Sequence, residues 1–403
     1  MSELQALLLC AGSGSRMTEL CNRMLKCLLP IANVPMFWYP LNTLVNSGVK
    51  DGESEVSRLL ATSLFSYPSA TIEVISVPRE NEEWGTADLL RHYASRITHD
   101  FIVMSCDFIS DCRLQHMVDQ FRAHSATLLC LLSDMCITGP VPGPKVRRSK
   151  GRDFIALEES TSRIVYMTNE EDFDQPVNAD SWLNKFSSVT LTASYVDCHV
   201  YFMRHACLGT LIEQKNFSSL KADLIPYLLS KQCSLPSGEE EMPKCMAYLL
   251  SRGNATIAAR VNNLGAYLET NKSVLKSLPR FSSLLYTGRV FDGRASGIHA
   301  NESLVAEDSE VGERVLIKKS VLASRCSVGE KANIQGSVMM EGSTIGRGVK
   351  IAQSIICCGA VIGENAELIN VIVARDQKVS ANAKIQNEVI NCDAEDNTWE
   401  NGL

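Results

Sequence analysis

The largely apolar stretch Leu4 to Cys10 breaks into Ala11-Gly12-Ser13-Gly14-Ser15-Arg16. A glycine-rich turn after a strand lets backbone N–H groups approach a phosphate closely. Gly12, Gly14 and Arg16 are therefore candidate nucleotide-binding residues, and Lys26, in Leu25-Lys26-Cys27-Leu28-Leu29-Pro30, supplies a second cation. Further on, Trp84-Gly85-Thr86-Ala87 opens a helix. Asp107 follows the apolar run 101–105, at the C-terminal end of a strand, where a carboxylate can hold Mg²⁺. Asp197 and Asp223 are candidate second metal ligands, with solvated or capping roles as the plainer reading. His199 is expected in the core or at a rim, not as a catalytic base, and no residue is assigned a catalytic role.

These residues need a scaffold of alternating strands and helices. After the first strand the pattern predicts helices at roughly 36–47 and 53–66, a strand at 71–77, a helix from Trp84, a strand at 101–105, a helix at 113–124 and a strand at 126–132. Such alternation implies a Rossmann-like α/β domain with ligands near the strand C-terminal ends. One strand is missing from the pattern. Gly48-Val49-Lys50-Asp51-Gly52 runs directly into the polar helix, with no apolar run of four before Leu59. A sheet without that internal strand would leave strand edges unpaired. The basic run Lys145, Arg147, Arg148, Lys150 and Arg152, after Pro140-Val141-Pro142-Gly143-Pro144, reads either as a solvated loop or as a contact for acidic protein or RNA.

Beyond residue 310 the chain is repetitive, with apolar residues recurring in steps of six, six and five. The coils carry Val311, Ile317, Leu322; Val328, Ile334, Met339; Ile345, Ile351, Ile356; Ile362, Leu368, Val373; and Val379, Ile385, Ile390. All fifteen positions are apolar, and a register two residues earlier is small or β-branched at thirteen of fifteen. Residues two apart on a strand share a face, so both registers point into a narrow prism with seventeen residues per coil. Gly312, Gly329, Gly346 and Gly363 are expected to turn corners by taking positive φ. Gln377 and Glu388 predict a capping or fraying last coil. Val321, Val338, Ile355, Ile372 and Val389 each precede an inward position and form an outward aliphatic stripe. The stripe docks either on the chain's own N-terminal domain or connecting helix, or on a partner subunit. Ile355→Asp is expected to leave a soluble fold and weaken that docking, and an unchanged assembly state would count against the partner reading.

Composition narrows the function classes. Over 403 residues, 45% hydrophobic and 21% charged content is globular, with two domains or a domain and an appendage. A net charge of −7 argues against direct nucleic-acid binding. The longest apolar run near the N-terminus, Leu7 to Ala11, is too short for a signal peptide or a membrane span. Fifteen cysteines without zinc spacing imply reduced thiols in a cytosolic protein, many serving as small hydrophobes, and no metal. The expected organisation is a nucleotidyltransferase-like domain at 1–231, a linker and connecting helix at 232–290, and a β-helix at 291–403.

The repeat resembles the hexapeptide-repeat, left-handed parallel β-helix family, and the expected hand is taken from that likeness. The turn at Gly12–Arg16 with Lys26 resembles the sugar-1-phosphate nucleotidyltransferase superfamily. That resemblance implies that the turn and Arg16 hold nucleotide phosphates, Lys26 stabilises departing pyrophosphate, Gly85-Thr86-Ala87 helps bind the base and Asp107 binds metal. The departures weaken an enzymatic reading. Leu25 and Cys27 replace the signature prolines, no lysine stands within Met167-Thr168-Asn169-Glu170-Glu171 where the sugar-phosphate lysine belongs, and Asp197-Cys198-His199 replaces the family's Asn-Ala-Gly.

A closer likeness is carried by Gly14-Ser15-Arg16-Met17-Thr18, Trp38-Tyr39-Pro40-Leu41-Asn42, Gly85-Thr86-Ala87-Asp88, Ser105-Cys106-Asp107 and Leu224-Ile225-Pro226-Tyr227-Leu228. Arg260 to Asn271 and the coil at Ile334 to Val338 add to it. Together they resemble the gamma-subunit family of eukaryotic translation initiation factor 2B. The resemblance implies a cytosolic, non-catalytic subunit without cofactor. It would pair with the epsilon subunit and the other subunits of a complex exchanging guanine nucleotide on initiation factor 2. The epsilon subunit's C-terminal exchange domain is expected to be absent, and the missing strand and short 232–260 connector suggest a shortened variant. The alternative is an active nucleotidyltransferase resembling mannose-1-phosphate guanylyltransferases and using Mg²⁺.

Overall fold

The computed structural model describes residues 4–10, 16–21, 24–47, 51–53, 71–73, 75, 83–134, 136–137, 139–144, 151–170, 180–234, 242–251, 255–281, 288–295 and 298–391. The chain divides into two compact units that interleave along the sequence. One holds residues 1–11, 37–136 and 147–260, the other residues 12–36, 137–146 and 261–403. Among the described residues no helix is long and apolar enough to cross a membrane.

The first unit is built on ten strands: β1 (Gln5–Leu9), β2 (Asp51–Glu53), β3 (Thr71–Glu73), β4 (Phe101–Ser105), β5 (Leu128–Ser133), β6 (Asp153–Glu158), β7 (Arg163–Asn169), β8 (Val189–Thr192), β9 (Val196–Met203) and β10 (Cys245–Leu250). Their order in the sheet is β8-β6-β7-β10-β5-β9-β4-β1-β2-β3. β4 and β5 are buried along nearly their whole length, as strands covered on both faces must be. β4 lies parallel to β1 but antiparallel to β9, so the sheet is mixed where the alternation implied a parallel one. Helices Trp38–Asn46, Thr86–His92 and Gln115–Ala123 sit where the pattern placed them. The helix expected at 53–66 falls outside the described residues except for Glu53, which is strand.

The strand that the sequence seemed to lack is present. β2 pairs in parallel with β1 through Gln5↔Asp51 and with β3 through Asp51↔Thr71, so the sheet has no gap. Ladder bonds come from backbone N–H and C=O, which Asp-Gly-Glu possesses as fully as an apolar run. A search for apolar residues was blind to it.

In the second unit the coils stack in register at the seventeen-residue repeat, as in Ile317↔Ile334, Ile334↔Ile351 and Ile351↔Leu368. The inward residues of the first four coils form one buried cluster, with Val311 partly exposed, while Ile385 and Ile390 of the last coil are only half-buried. The last coil does not fray: its strands stay paired in register with the coil before it, in the capping place that Gln377 and Glu388 suggested. The small register does more than fill space. Ser303, Ser320, Ser337 and Ser354 are fully buried, and each Oγ accepts the backbone N–H one coil onward, from Ser320, Ser337, Ser354 and Val371 at 3.0–3.2 Å.

The corners are made differently from expectation. Gly312, Gly329, Gly346 and Gly363 do not take positive φ; a Cβ there would come within 2.5–2.8 Å of a backbone nitrogen of the next coil. They are glycine because the coils approach too closely for a side chain. The left-handed residues form their own seventeen-residue registers: Arg314, Lys331, Gly348, Asn365 and Asn382 at φ 54–69°, then Lys319, Gly336, Gln353, Asn370 and Asn387 at φ 49–58°. Asparagine tolerates this region better than other side-chain-bearing residues, which accounts for its enrichment in the later coils.

The outward stripe is not a free face. Val321 and Val338 are 2% exposed, Ile355 and Ile372 0%, and Val389 is half-buried, all within the single chain. Segments of the same unit lie along these coils. Gly143 donates its N–H to Asn370 O at 2.9 Å, and a Cβ on Gly143 would lie 3.0 Å from Val389. Asn33 Nδ2 donates to Leu322 O at 3.0 Å, and Lys272 Nζ to Gln353 Oε1 at 3.0 Å. Helix Leu264–Val274, capped by Asn263, is buried on nearly every side. Its Tyr267 hydroxyl donates to Pro30 O at 2.8 Å, and its Asn271 Oδ1 accepts the Ala32 N–H at 2.8 Å. This corrects the partner-interface assignment of the stripe, because side chains without accessible area have none to bury against a second subunit. It also moves the connecting helix, with residues 12–36 and 137–146, into the β-helix unit rather than a separate linker.

Candidate functional site

Gly12 and Gly14 lie outside the described residues, as do Lys145, Arg147, Arg148 and Lys150 of the basic run. Arg16 is exposed, and Lys26 opens the short 3-10 turn Lys26–Leu28 half-buried, both in the β-helix unit. Gly85, Thr86 and Asp107 belong to the sheet unit.

Gly85 starts helix Thr86–His92, and the polar groups around it are used internally. Its N–H donates to Asp88 Oδ2 at 3.0 Å, Thr86 Oγ1 accepts the Leu220 N–H at 2.9 Å, and the Ala87 N–H reaches Ser218 O at 2.8 Å. A Cβ at Gly85 would sit 2.1 Å from Ser218 O, so this glycine is required by the turn at 218–220. Asp223 caps the same turn, accepting the N–H groups of Ser218 and Ser219 at 2.9 and 2.7 Å. Its capping role displaces the metal-ligand reading.

Among the described residues, a buried cluster of charged side chains gathers around the start of β9. Asp197, fully buried, accepts the Tyr201 hydroxyl at 2.6 Å, and its backbone N–H donates to Asp153 Oδ2 at 2.9 Å. Lys221 Nζ lies 2.7 Å from Asp153 Oδ1 and 3.5 Å from Asp197 Oδ2. Asn169 Nδ2 donates to Asp153 at 2.8 Å. Arg260 is carried beside them by the pairing of Ala258–Arg260 with Phe108–Ser110, which also follows Asp107 directly. Its NH2 group donates to His199 Nδ1 at 3.2 Å, which places the His199 proton on Nε2, 3.4 Å from Asp197 Oδ2. His199 is left-handed at φ 52°, in a β-bulge between Asp197 and Tyr201 that turns both side chains and the imidazole toward one another.

Electrostatics follows from this packing. Burial alone would raise the Asp197 pKa, but the His199 imidazole, the Lys221 and Arg260 cations and the Tyr201 hydroxyl outweigh it and hold the carboxyl below its ordinary value. Burial works against the Arg260 cation, yet Asp107 and Asp197 hold its pKa above the ordinary arginine value. Burial, then the neighbouring Arg260 charge, push His199 from 6.5 down to about 3. The imidazole is therefore neutral near pH 7, and it refuses a proton that the unfolded chain accepts. Stability should fall as the pH drops below 6.5, by at most about 1.4 kcal/mol per unit, and by less because the ring keeps 26% of its surface in solvent. In His199→Gln the drop in urea midpoint between about pH 6.5 and pH 5 should shrink; an unaltered slope would assign it to other groups.

The sequence reading named Asp107, Asp197 and His199 but missed Lys221, Asp153, Tyr201 and Arg260. The period-two spacing of Asp197, His199 and Tyr201 was an available signal for a shared face. No local pattern points to Lys221 or Arg260, which come from a π-helical turn and a distant short strand. Among the described residues no group of three or more His, Cys, Asp or Glu is arranged to hold a metal ion.

Two family models match the chain, nucleotidyl transferase over residues 5–135 and GlmU-like C-terminal hexapeptide over residues 288–368. The chain is 42% identical over 330 residues to the translation initiation factor eIF2B subunit gamma of Caenorhabditis elegans, covering 79% of this chain and 80% of that protein. It is 26% identical over 347 residues to the gamma subunit of Schizosaccharomyces pombe, covering 78% and 72%. The epsilon subunit of the same yeast is 22% identical over 282 residues, 68% of this chain and 40% of that protein.

Proposed function

The chain belongs to the family of translation initiation factor eIF2B gamma subunits, and from that premise we infer that it is a non-catalytic subunit of a guanine-nucleotide exchange complex acting on initiation factor 2. It works in the cytosol by assembling with an epsilon subunit and the other subunits of that complex. The observation that supports a non-catalytic role is the cluster at β9. Lys221 and Arg260 are committed to Asp153, Asp197 and His199, and His199 is neutral. A sugar phosphate arriving there would meet three carboxylates, Asp107, Asp153 and Asp197, against two cations, of which Lys221 is already paired with Asp153 and Asp197. Phosphoryl transfer depends on positioned positive charge, so a site whose carboxylates outnumber its cations is poorly suited to supply it.

Three of the four carboxylates Asp107, Asp153, Asp197 and Asp223 are poorly placed to hold Mg²⁺. Asp153 and Asp197 are paired with Lys221, and Asp223 is held by two backbone N–H groups. The purified chain with Mg²⁺ and pyrophosphate should cleave neither GDP-mannose nor other nucleotide sugars, and should co-purify with an epsilon subunit. Robust pyrophosphate-dependent cleavage would overturn the non-catalytic reading in favour of a guanylyltransferase. Failure to associate with epsilon would overturn the assembly reading.

A further inference from the structure

Fourteen cysteines are described, and most are buried among apolar side chains. Two of them meet. Cys136 Sγ and Cys198 Sγ are 3.9 Å apart, across 62 positions of sequence and within the sheet unit. Cys136 is half-buried where the chain leaves β5, and Cys198 is fully buried on β9, between Asp197 and His199. A disulfide needs an S–S separation of about 2.05 Å, so roughly 2 Å of sulfur movement separates the thiol pair from a covalent bond. Rotation about the Cα–Cβ bonds shifts each sulfur, and Cys136 lies outside regular secondary structure, so its backbone is not held in the sheet ladder.

We propose that Cys136 and Cys198 are a reversible thiol–disulfide modification site whose co-substrate is a low-molecular-weight disulfide such as oxidised glutathione. The half-buried Cys136 thiolate attacks one sulfur of the external disulfide, forming a mixed disulfide and releasing one thiol. Cys198, deprotonated, then attacks the Cys136 sulfur, forming the Cys136–Cys198 bond and releasing the second thiol. Two protein thiols are oxidised and one external disulfide is reduced to two thiols. The division of roles follows from access, since only Cys136 reaches solvent. Burial also raises the Cys198 thiol well above its ordinary pKa, which makes the resolving step the slower one. The neighbouring His199 is neutral and already accepts from Arg260, so it does not activate Cys198. The consequence reaches the charged cluster. Drawing Cys198 toward Cys136 pulls on the residue adjoining the left-handed bulge at His199, and so couples thiol oxidation to the Asp197–His199–Arg260 contacts.

The test is a time course on the full chain with oxidised glutathione, quenched with an alkylating agent, digested without reductant and read by mass spectrometry. Glutathione should appear first on Cys136 and then give way to a linked Cys136–Cys198 peptide, which dithiothreitol reverses. Cys198→Ser should stop at the mixed disulfide, and Cys136→Ser should leave Cys198 fully alkylatable after unfolding. Should Cys198→Ser fail to fold, the Cys136→Ser arm, at a half-buried loop position, still decides the matter. The proposal fails if Cys198 stays a thiol in the parent chain, if it links to Cys112 instead, or if it is oxidised unchanged in Cys136→Ser.

Discussion

Ile355→Asp should abolish the soluble fold, or lower its stability by more than about 4 kcal/mol. Ile355 is 0% exposed, stacked between Val338 and Ile372 of the adjoining coils. The replacement gives up the burial of a large aliphatic side chain, about 1.5–3 kcal/mol. It also leaves a carboxyl without a partner in an apolar seam, which costs several kcal/mol more or forces protonation. The milder Ile355→Ala should lose about 2–5 kcal/mol, and Thr344→Asp, at an exposed position on another face, less than about 0.5 kcal/mol. Urea unfolding of the three chains reads the result. A soluble Ile355→Asp chain with the parent midpoint would mean that the stripe is not internal and would restore it as a candidate partner surface.

The second large effect is expected at Lys221. Its ammonium is the shared partner of Asp153 and Asp197, whose side chains are 2% and 0% exposed. Lys221→Met should cost about 3–5 kcal/mol, because removing one member of a buried ion pair leaves the other uncompensated. The loss should be smaller when Asp153→Asn is added, since the amide can still hydrogen-bond without carrying a charge. A double-mutant cycle measures this directly. If Lys221→Met melts with the parent chain, the cluster is not a structural network, and the case for cations neutralised within the fold collapses with it. The same variant should remain inactive on nucleotide sugars.

Much of this molecule was readable from residue order. β4 and β5 were read from the apolar runs at 101–105 and 126–132, and the β-helix from fifteen inward positions repeating every seventeen. Asp107 was placed correctly after β4 because a strand end is a local feature. β2 was not found, since its side chains carry no apolar signal and its reason for pairing lies in the neighbouring backbones. The glycines of the coils were found, but their reason was misread: close approach of the next coil is a tertiary fact, whereas positive φ is a local one. Lys221 and Arg260 went unnoticed because their chemistry is created by residues far away in sequence.

The coil period, the inward registers and the existence of an aliphatic stripe can all be read from residue order. These follow from which side chains alternate along short strands, and the chain writes that alternation locally. What covers the stripe was decided only by the tertiary structure, through contacts such as Asn33 with Leu322, 289 positions apart, and Gly143 with Asn370. The same division holds at β9. Asp197, His199 and Tyr201 are near neighbours in sequence, but the bulge at His199 brings them together, and the protonation of Asp197 and His199 depends on burial and on Lys221 and Arg260 arriving from elsewhere. Charge acts through space, and the spatial neighbours of a buried carboxylate are fixed by the fold rather than by its neighbours in the chain.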